Sequence, residues 1–150
     1  MLLFETLKQP TDRTCQHTCL AMITGNTVEY VEDWFSHYGN DLPLIAEDAI
    51  IFLAHHGVYL AMYAISLNDE PMDIDGSEQV VTIPMKICDH PALIVVDSER
   101  FPGKMHAVFW DGQNVLDPAY GTRRKLSEFK VREYWPVLLT EQQFERIKNS

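Results

Sequence analysis

The apolar positions change period part-way along the chain. From Cys15 to His56 they recur at intervals of three and four, and beyond Val58 they gather in short runs bounded by turn residues. The first pattern is that of helices with one buried face, the second that of strands. Cys15, Cys19, Met22 and Ile23 fall on a single helical stripe, which predicts a helix from Cys15 to about Thr24, stopped by Gly25. Thr27 can cap a second helix, in which Val28, Val31, Phe35 and Tyr38 keep the spacing as far as Gly39. Pro43 marks the start of a third, from about Leu44 to His56, with Gly57 as its stop. The centre of that helix, Ala49 to Ala54, is apolar all round and is expected to be buried.

Strands are predicted from Val58 to Ile65, Val80 to Ile83, Pro91 to Val96 and Tyr134 to Leu139. The run beginning at Pro91 is the most apolar and is expected to be central. Met105 to Trp110 and Val115 to Asp117 read as two arms of a hairpin. Between the strands lie an acidic loop over 68–78 and a short turn near Leu126–Phe129. Thr140 and Gln143 have capping-box spacing for a terminal helix. Helices followed by antiparallel strands predict an α+β fold, with a helical half packed on a sheet. No repeat or linker divides residues 1–150, and the expectation is one domain.

Charge narrows the function classes. Twelve Lys and Arg against 22 Asp and Glu give a net charge of −10. An acidic chain without a basic run is a poor nucleic-acid binder, and its field favours basic partners. No apolar run has the length of a membrane span, and Glu5 interrupts the N-terminus before a signal peptide could form. The three cysteines, Cys15, Cys19 and Cys88, are an odd and small number, as expected of reduced thiols in the cytoplasm.

One of those thiols has a position suited to chemistry. Thr14 stands at the N-cap, so Cys15 lies in the first helical turn, where the helix dipole and unpaired N–H groups favour the thiolate. A cysteine near a helix start is also a common small core residue, so partners must decide. Of the six histidines, His17 turns away from Cys15 at i+2, His37, His55 and His56 lie near helix ends, and His90 lies in a loop. His106 differs because of the residue across from it. With Asp111-Gly112 as a two-residue loop, Trp110 pairs with Gln113, Val108 with Val115 and His106 with Asp117. A four-residue loop slides the register by two and still leaves both on one face, whereas a three-residue bulged loop would separate them. A carboxylate there would hold the imidazole in one tautomer. Gln9, six residues before Cys15, can offer a side-chain amide to an oxyanion beside the Cys15 N–H.

Taken together, these segments resemble a papain-like cysteine peptidase. The chain is most similar to the family that trims double-glycine leader peptides and to its small stand-alone bacterial and phage relatives. The resemblance rests on Gln9-Pro-Thr-Asp-Arg-Thr-Cys15, Cys19-Leu-Ala-Met-Ile-Thr-Gly25, His90-Pro-Ala-Leu-Ile-Val-Val96, His106-Ala-Val-Phe-Trp-Asp-Gly112 and Val115-Leu-Asp-Pro118. It covers about 15–118. It implies Cys15 as nucleophile, His106 as general base and acid, Asp117 as the residue that orients it, and Gln9 as oxyanion donor. It implies no cofactor and a peptide or protein substrate. Gln16 departs from the glycine that often follows the nucleophile, which narrows the cleft or changes the substrate.

Three other readings compete. A metal site could draw on Cys15, His17 and Cys19 with Cys88 and His90, although Cys15 and His17 diverge on a helix. An inactive peptidase fold could bind a basic protein, with the acidic loop as its surface. The same three residues could also deamidate, or transfer an acyl group to an amine.

Overall fold

The computed structural model describes residues 4–37, 44, 46–60 and 90–138. Three helices come first: α1 (Cys15–Thr24), α2 (Val28–His37) and α3 (Ala46–His55). Gly25 ends α1 in the left-handed conformation, φ 72°, and its N–H bonds the carbonyl of Ala21. A residue with a Cβ is strained there, which is why glycine closes this helix. The Thr27 hydroxyl accepts the Tyr30 N–H at the start of α2. All three predicted helices are present, and the third begins two residues later than expected.

Six strands follow: β1 (Tyr59–Leu60), β2 (Ala92–Asp97), β3 (Met105–Trp110), β4 (Val115–Asp117), β5 (Thr122–Arg124) and β6 (Val131–Leu138). They form one sheet in the order β1-β6-β2-β3-β4-β5, and every neighbouring pair is antiparallel. The fold is α+β. β2 lies between β6 and β3, central as its apolar run predicts. Among the described residues no helix is long and apolar enough to cross a membrane. The predicted strand at Val80–Ile83, most of that at Val58–Ile65, the acidic loop and the terminal helix lie outside the described residues.

The sheet is buried on both faces. Leu93, Ala107, Phe109, Leu116 and Val137 join the core made with Cys19, Leu20, Ile23, Phe35, Phe52 and Leu53 of the helices. Ala92, Ile94, Val96, Val108, Trp110, Val115, Val131 and Tyr134 make a second cluster, with Leu126 and Phe129 packed against it. Alternation along β2 and β3 produces the two sets, because successive side chains leave opposite faces of a strand.

Three expectations are corrected. The centre of α3 is not buried all round: Ala49, Phe52 and Leu53 are, while Ile51 is 51% exposed and Ala54 faces outward. An outer helix has one covered stripe, whatever the hydrophobicity of its other side. β6 begins at Val131, three residues before the predicted start. The stretch after Asp117, expected to be loop, contains β5. Thr-Arg-Arg has no apolar alternation to betray it, and polar residues suit a strand at the sheet's edge.

Candidate functional site

The loop before α1 sets the position of Cys15. Thr14 occupies the N-cap, but its hydroxyl makes no capping bond. It donates instead to the Thr11 carbonyl at 2.9 Å and accepts the Thr11 N–H at 3.1 Å. The expected side-chain cap is therefore spent inside the loop, which it tightens into a turn. Cys15 is half-buried at the head of the helix, whereas Cys19, one turn on, is completely buried.

The hairpin brings His106 and Asp117 together by the longer of the two loops. Trp110 pairs with Val115 and Phe109 with Leu116, so four residues, 111–114, form the turn. The two-residue register expected from Asp111-Gly112 is not adopted. Asp111 Oδ1 accepts the N–H groups of Gln113 and Asn114 at 2.8 and 2.7 Å, and that side-chain turn stabilises the longer loop. His106 and Asp117 are consequently diagonal neighbours on one face rather than directly opposed. The imidazole spans the offset: Nε2 lies 2.8 Å from Asp117 Oδ1.

With Nε2 committed to Asp117, the other ring nitrogen remains for Cys15. The thiol and the imidazole line the same cleft and act on each other's ionisation, because α1 packs against β3. Three electrostatic consequences follow. Burial pushes the Cys15 thiol up, but the His106 bond, the Ala107 N–H, the His106 charge and the Gln16 N–H outweigh it and hold it below the usual thiol value. Burial pulls His106 down, yet its bonds to Asp117 and Cys15, and their charges, raise it to about 9. Asp117 is 1% exposed, and that burial favours its neutral form. The bonds from His106, the Ala119 N–H and Arg124 nevertheless hold it below the ordinary carboxylate value. Each group thus favours the charged form of its neighbour. Cys19 is the reverse case: burial, then the charges of Cys15 and Asp117, push its thiol well up and leave it inert.

Gln9 reaches the same place from the N-terminal segment. Its N–H donates to the Pro118 carbonyl at 2.7 Å, one residue past Asp117. Arg123 fastens the same segment by donating to the Phe4 carbonyl at 2.7 Å. Gly121, at φ 65°, lets the two chains approach: a Cβ there would stand 3.0 Å from Lys8 Cβ. The Gln9 side chain is 8% exposed, and its Oε1 has no hydrogen-bond partner. Buried amides are almost always paired.

Gln9, Cys15, His106 and Asp117 all line one cleft. Asp12, Asp97, Glu99 and Arg100 contribute charge to its walls, and Phe101, Met105, Tyr120 and Phe129 contribute apolar surface. The wall carboxylates are paired: Asp12 with Arg100 at 3.0 Å, Glu99 with Arg124 at 2.7 Å, Asp97 with Arg132 at 2.8 Å. His17 is not part of this group. It is buried against Phe35, with Nδ1 unpartnered, and burial lowers its pKa despite the charge of Asp48. Among the described residues no three His, Cys, Asp or Glu side chains cluster as metal ligands. Cys88 lies outside the described residues, and His90 Nε2 is bonded to the Val137 carbonyl at 2.8 Å.

Nothing in the pattern of residues points to Arg124. It donates to Asp117 Oδ2 at 3.0 Å from a strand that carries no apolar pattern. Its neighbour Arg123 has the same chemistry, so only the fold distinguishes them. Comparison with family models, with curated proteins and with solved structures finds no match for this chain.

Proposed function

We propose that this chain is a papain-like thiol hydrolase that cleaves a peptide or isopeptide bond, acting in the cytoplasm. The observation that carries the proposal is the linked contact from Cys15 through His106 to Asp117 at the wall of a cleft. Thiol, imidazole and carboxylate in that order make an activated nucleophile, its proton carrier and the group that orients the carrier.

The reaction needs two half-steps. Cys15 Sγ attacks the carbonyl carbon and forms a C–S bond, while the carbonyl oxygen takes up the negative charge. The Cys15 N–H and the Gln9 amide hold that oxygen. The buried Oε1 of Gln9, which has no hydrogen-bond partner, supports this role, since turning the amide over presents its NH₂ end there instead. His106 then gives its proton to the departing amine as the C–N bond breaks, leaving a thioester. Water attacks the thioester, His106 accepts its proton, and the carboxylate product leaves with the thiolate restored. An amine in place of water would give acyl transfer, and a glutamine side-chain amide as substrate would give deamidation. All three reactions share the first half-step.

The substrate in this reading is a peptide or protein, with basic ones favoured by the net charge of −10. The preference would act at long range, since the cleft carboxylates Asp12, Asp97 and Glu99 already face arginines.

A thiol-directed acyl probe tests the proposal. Folded protein should label at Cys15 alone, and His106→Ala should lose that labelling while keeping its circular dichroism spectrum. Gln9→Ala should slow acylation about 10²- to 10³-fold, the usual effect of losing one oxyanion donor. Equal labelling of the wild type and His106→Ala, or labelling at Cys19, would overturn it.

A further inference from the structure

Asp117 has two carboxylate oxygens, and the fold assigns them to different tasks. Oδ1 accepts from His106 Nε2 at 2.8 Å and from the Ala119 N–H at 3.0 Å. Oδ2 accepts from Arg124 Nη1 at 3.0 Å. The guanidinium is itself fixed on several sides. It forks onto Glu99 at 2.7 and 3.2 Å, its Nε lies 3.5 Å from Glu128, and its plane sits over the Phe129 ring, 4.4 Å from the centroid. A planar fork with five donors can hold two carboxylates and stack at the same time, which an ammonium cannot. We propose that Arg124 is a positioning residue for the thiol–imidazole pair: by holding Asp117 Oδ2 it keeps Oδ1 on His106.

This inference rests on the hydrolase reading above and adds a fourth residue to it. The charged groups around Asp117 come from every neighbouring element. They are Cys15 on α1, His106 on β3, Arg124 on β5, Glu99 in the loop after β2, and Glu128 in the turn over Leu126–Glu128, while the neighbouring Cys19 thiol stays neutral. Arg124 is the cation among them that touches Asp117 without exchanging a proton in the reaction. Its pKa is raised, chiefly by the bond to Glu99; burial opposes the rise, and the bond to Asp117 adds to it, so Arg124 remains charged across the working range. The Arg124 guanidinium adds to the His106 and Ala119 bonds that hold the Asp117 carboxyl below the ordinary carboxylate value, and Asp117 passes that preference to His106 as a fixed negative charge. Without Arg124 the buried carboxylate loses the partner of Oδ2 and takes up a proton more readily. His106 would then hold its proton less firmly, and Cys15 would lose a charged partner.

The competing explanation is that Arg124 only anchors the edge strand to the loop bearing Glu99. The two differ in the pH profile of Cys15. The experiment measures the rate of iodoacetamide alkylation at Cys15 against pH, together with the ring shifts of His106 by NMR. Wild type, Arg124→Gln, Arg124→Lys and Arg132→Gln are compared. Arg132→Gln is the control, because it removes an equal charge and an ion pair to Asp97 but does not touch Asp117.

The expected result is an alkylation midpoint about one pH unit higher in Arg124→Gln, with about tenfold slower alkylation below it and a lower His106 midpoint. Arg124→Lys should fall between Arg124→Gln and wild type, and Arg132→Gln should match wild type. Unchanged midpoints in a folded Arg124→Gln would overturn the inference, as would an equal shift in Arg132→Gln. If Arg124→Gln does not fold, Arg124→Lys decides by the same criterion. A wild-type thiol that titrates near an ordinary cysteine, about 8.5, and ignores His106→Ala would instead refute the hydrolase reading itself.

Discussion

Asp117→Asn changes one atom and removes one charge, which makes it a sharp probe of the site. Asn keeps the volume of the buried side chain, so packing around this 1% exposed position is preserved. Its amide has one acceptor end, whereas Asp117 presents two. Oδ1 faces two donors, His106 Nε2 and the Ala119 N–H, and Oδ2 faces Arg124. With the carbonyl kept toward His106, the NH₂ group meets the Arg124 guanidinium, donor against donor. Turning the amide over moves the same conflict onto His106 and Ala119. The charge is lost in both cases.

The size of the effect follows from His106. Its rise from 6.5 to about 9 corresponds to about 3 kcal/mol in favour of the charged ring, net of burial and shared between Asp117 and Cys15. About half of that, 1–2 kcal/mol, should disappear with the carboxylate. The thiolate–imidazolium pair would then be roughly five- to thirtyfold less populated near neutral pH. Cys15 alkylation, followed by intact mass against pH, should show its midpoint move up by about one pH unit or more. The midpoint belongs to the coupled pair rather than to either residue alone. A folded Asp117→Asn protein with the wild-type profile would show that the carboxylate does not govern the imidazole, and the reasoning would fail.

Other perturbations have equally definite outcomes. Cys19→Ala leaves a small cavity in the fully buried core and should cost about 1 kcal/mol in urea denaturation while Cys15 labelling is retained; a loss of labelling with stability intact would reverse the roles given to the two thiols. Gly121→Val places a branched side chain at φ 65° against Lys8, and denaturation should show a loss of about 1–3 kcal/mol, with no loss counting against the close approach. His17 has a folded pKa below 6.5 through burial, so the unfolded chain takes its proton first as pH falls. Stability should therefore be full above 6.5 and decline as pH drops through the folded value. His17→Gln should flatten that decline, and an unchanged slope would exclude His17 as its source.

The helical half was legible because its information is local. The period of Cys15, Cys19, Met22 and Ile23, the stop at Gly25 and the cap at Thr27 each act within one or two turns, where spacing alone fixes geometry. The two arms of the hairpin could be read for the same reason, and so could the shared face of His106 and Asp117, which survives any register slip by two. The slip itself was not legible. Asp111-Gly112 favours a short loop, and the preference was overruled by the Asp111 side chain bonding two N–H groups farther on. β5 carries no readable pattern because an edge strand can be polar, and the apolar centre of α3 reads as buried all round because a sequence does not reveal which side of a helix finds a neighbour.

What the chain determined by itself was the set of chemically capable groups and the elements that carry them: a cysteine at a helix start, a histidine and an aspartate on one hairpin face, a glutamine just upstream. Tertiary structure decided which of those groups meet. Cys15 and His106 are separated by 91 positions, and their contact depends on α1 packing against β3. Arg124 acquires its role only because β5 pairs with β4 and brings a guanidinium to the far side of Asp117. Spacing governs a few residues of backbone, whereas contacts between distant segments are chosen by how whole faces bury one another, and no short stretch of sequence contains that choice.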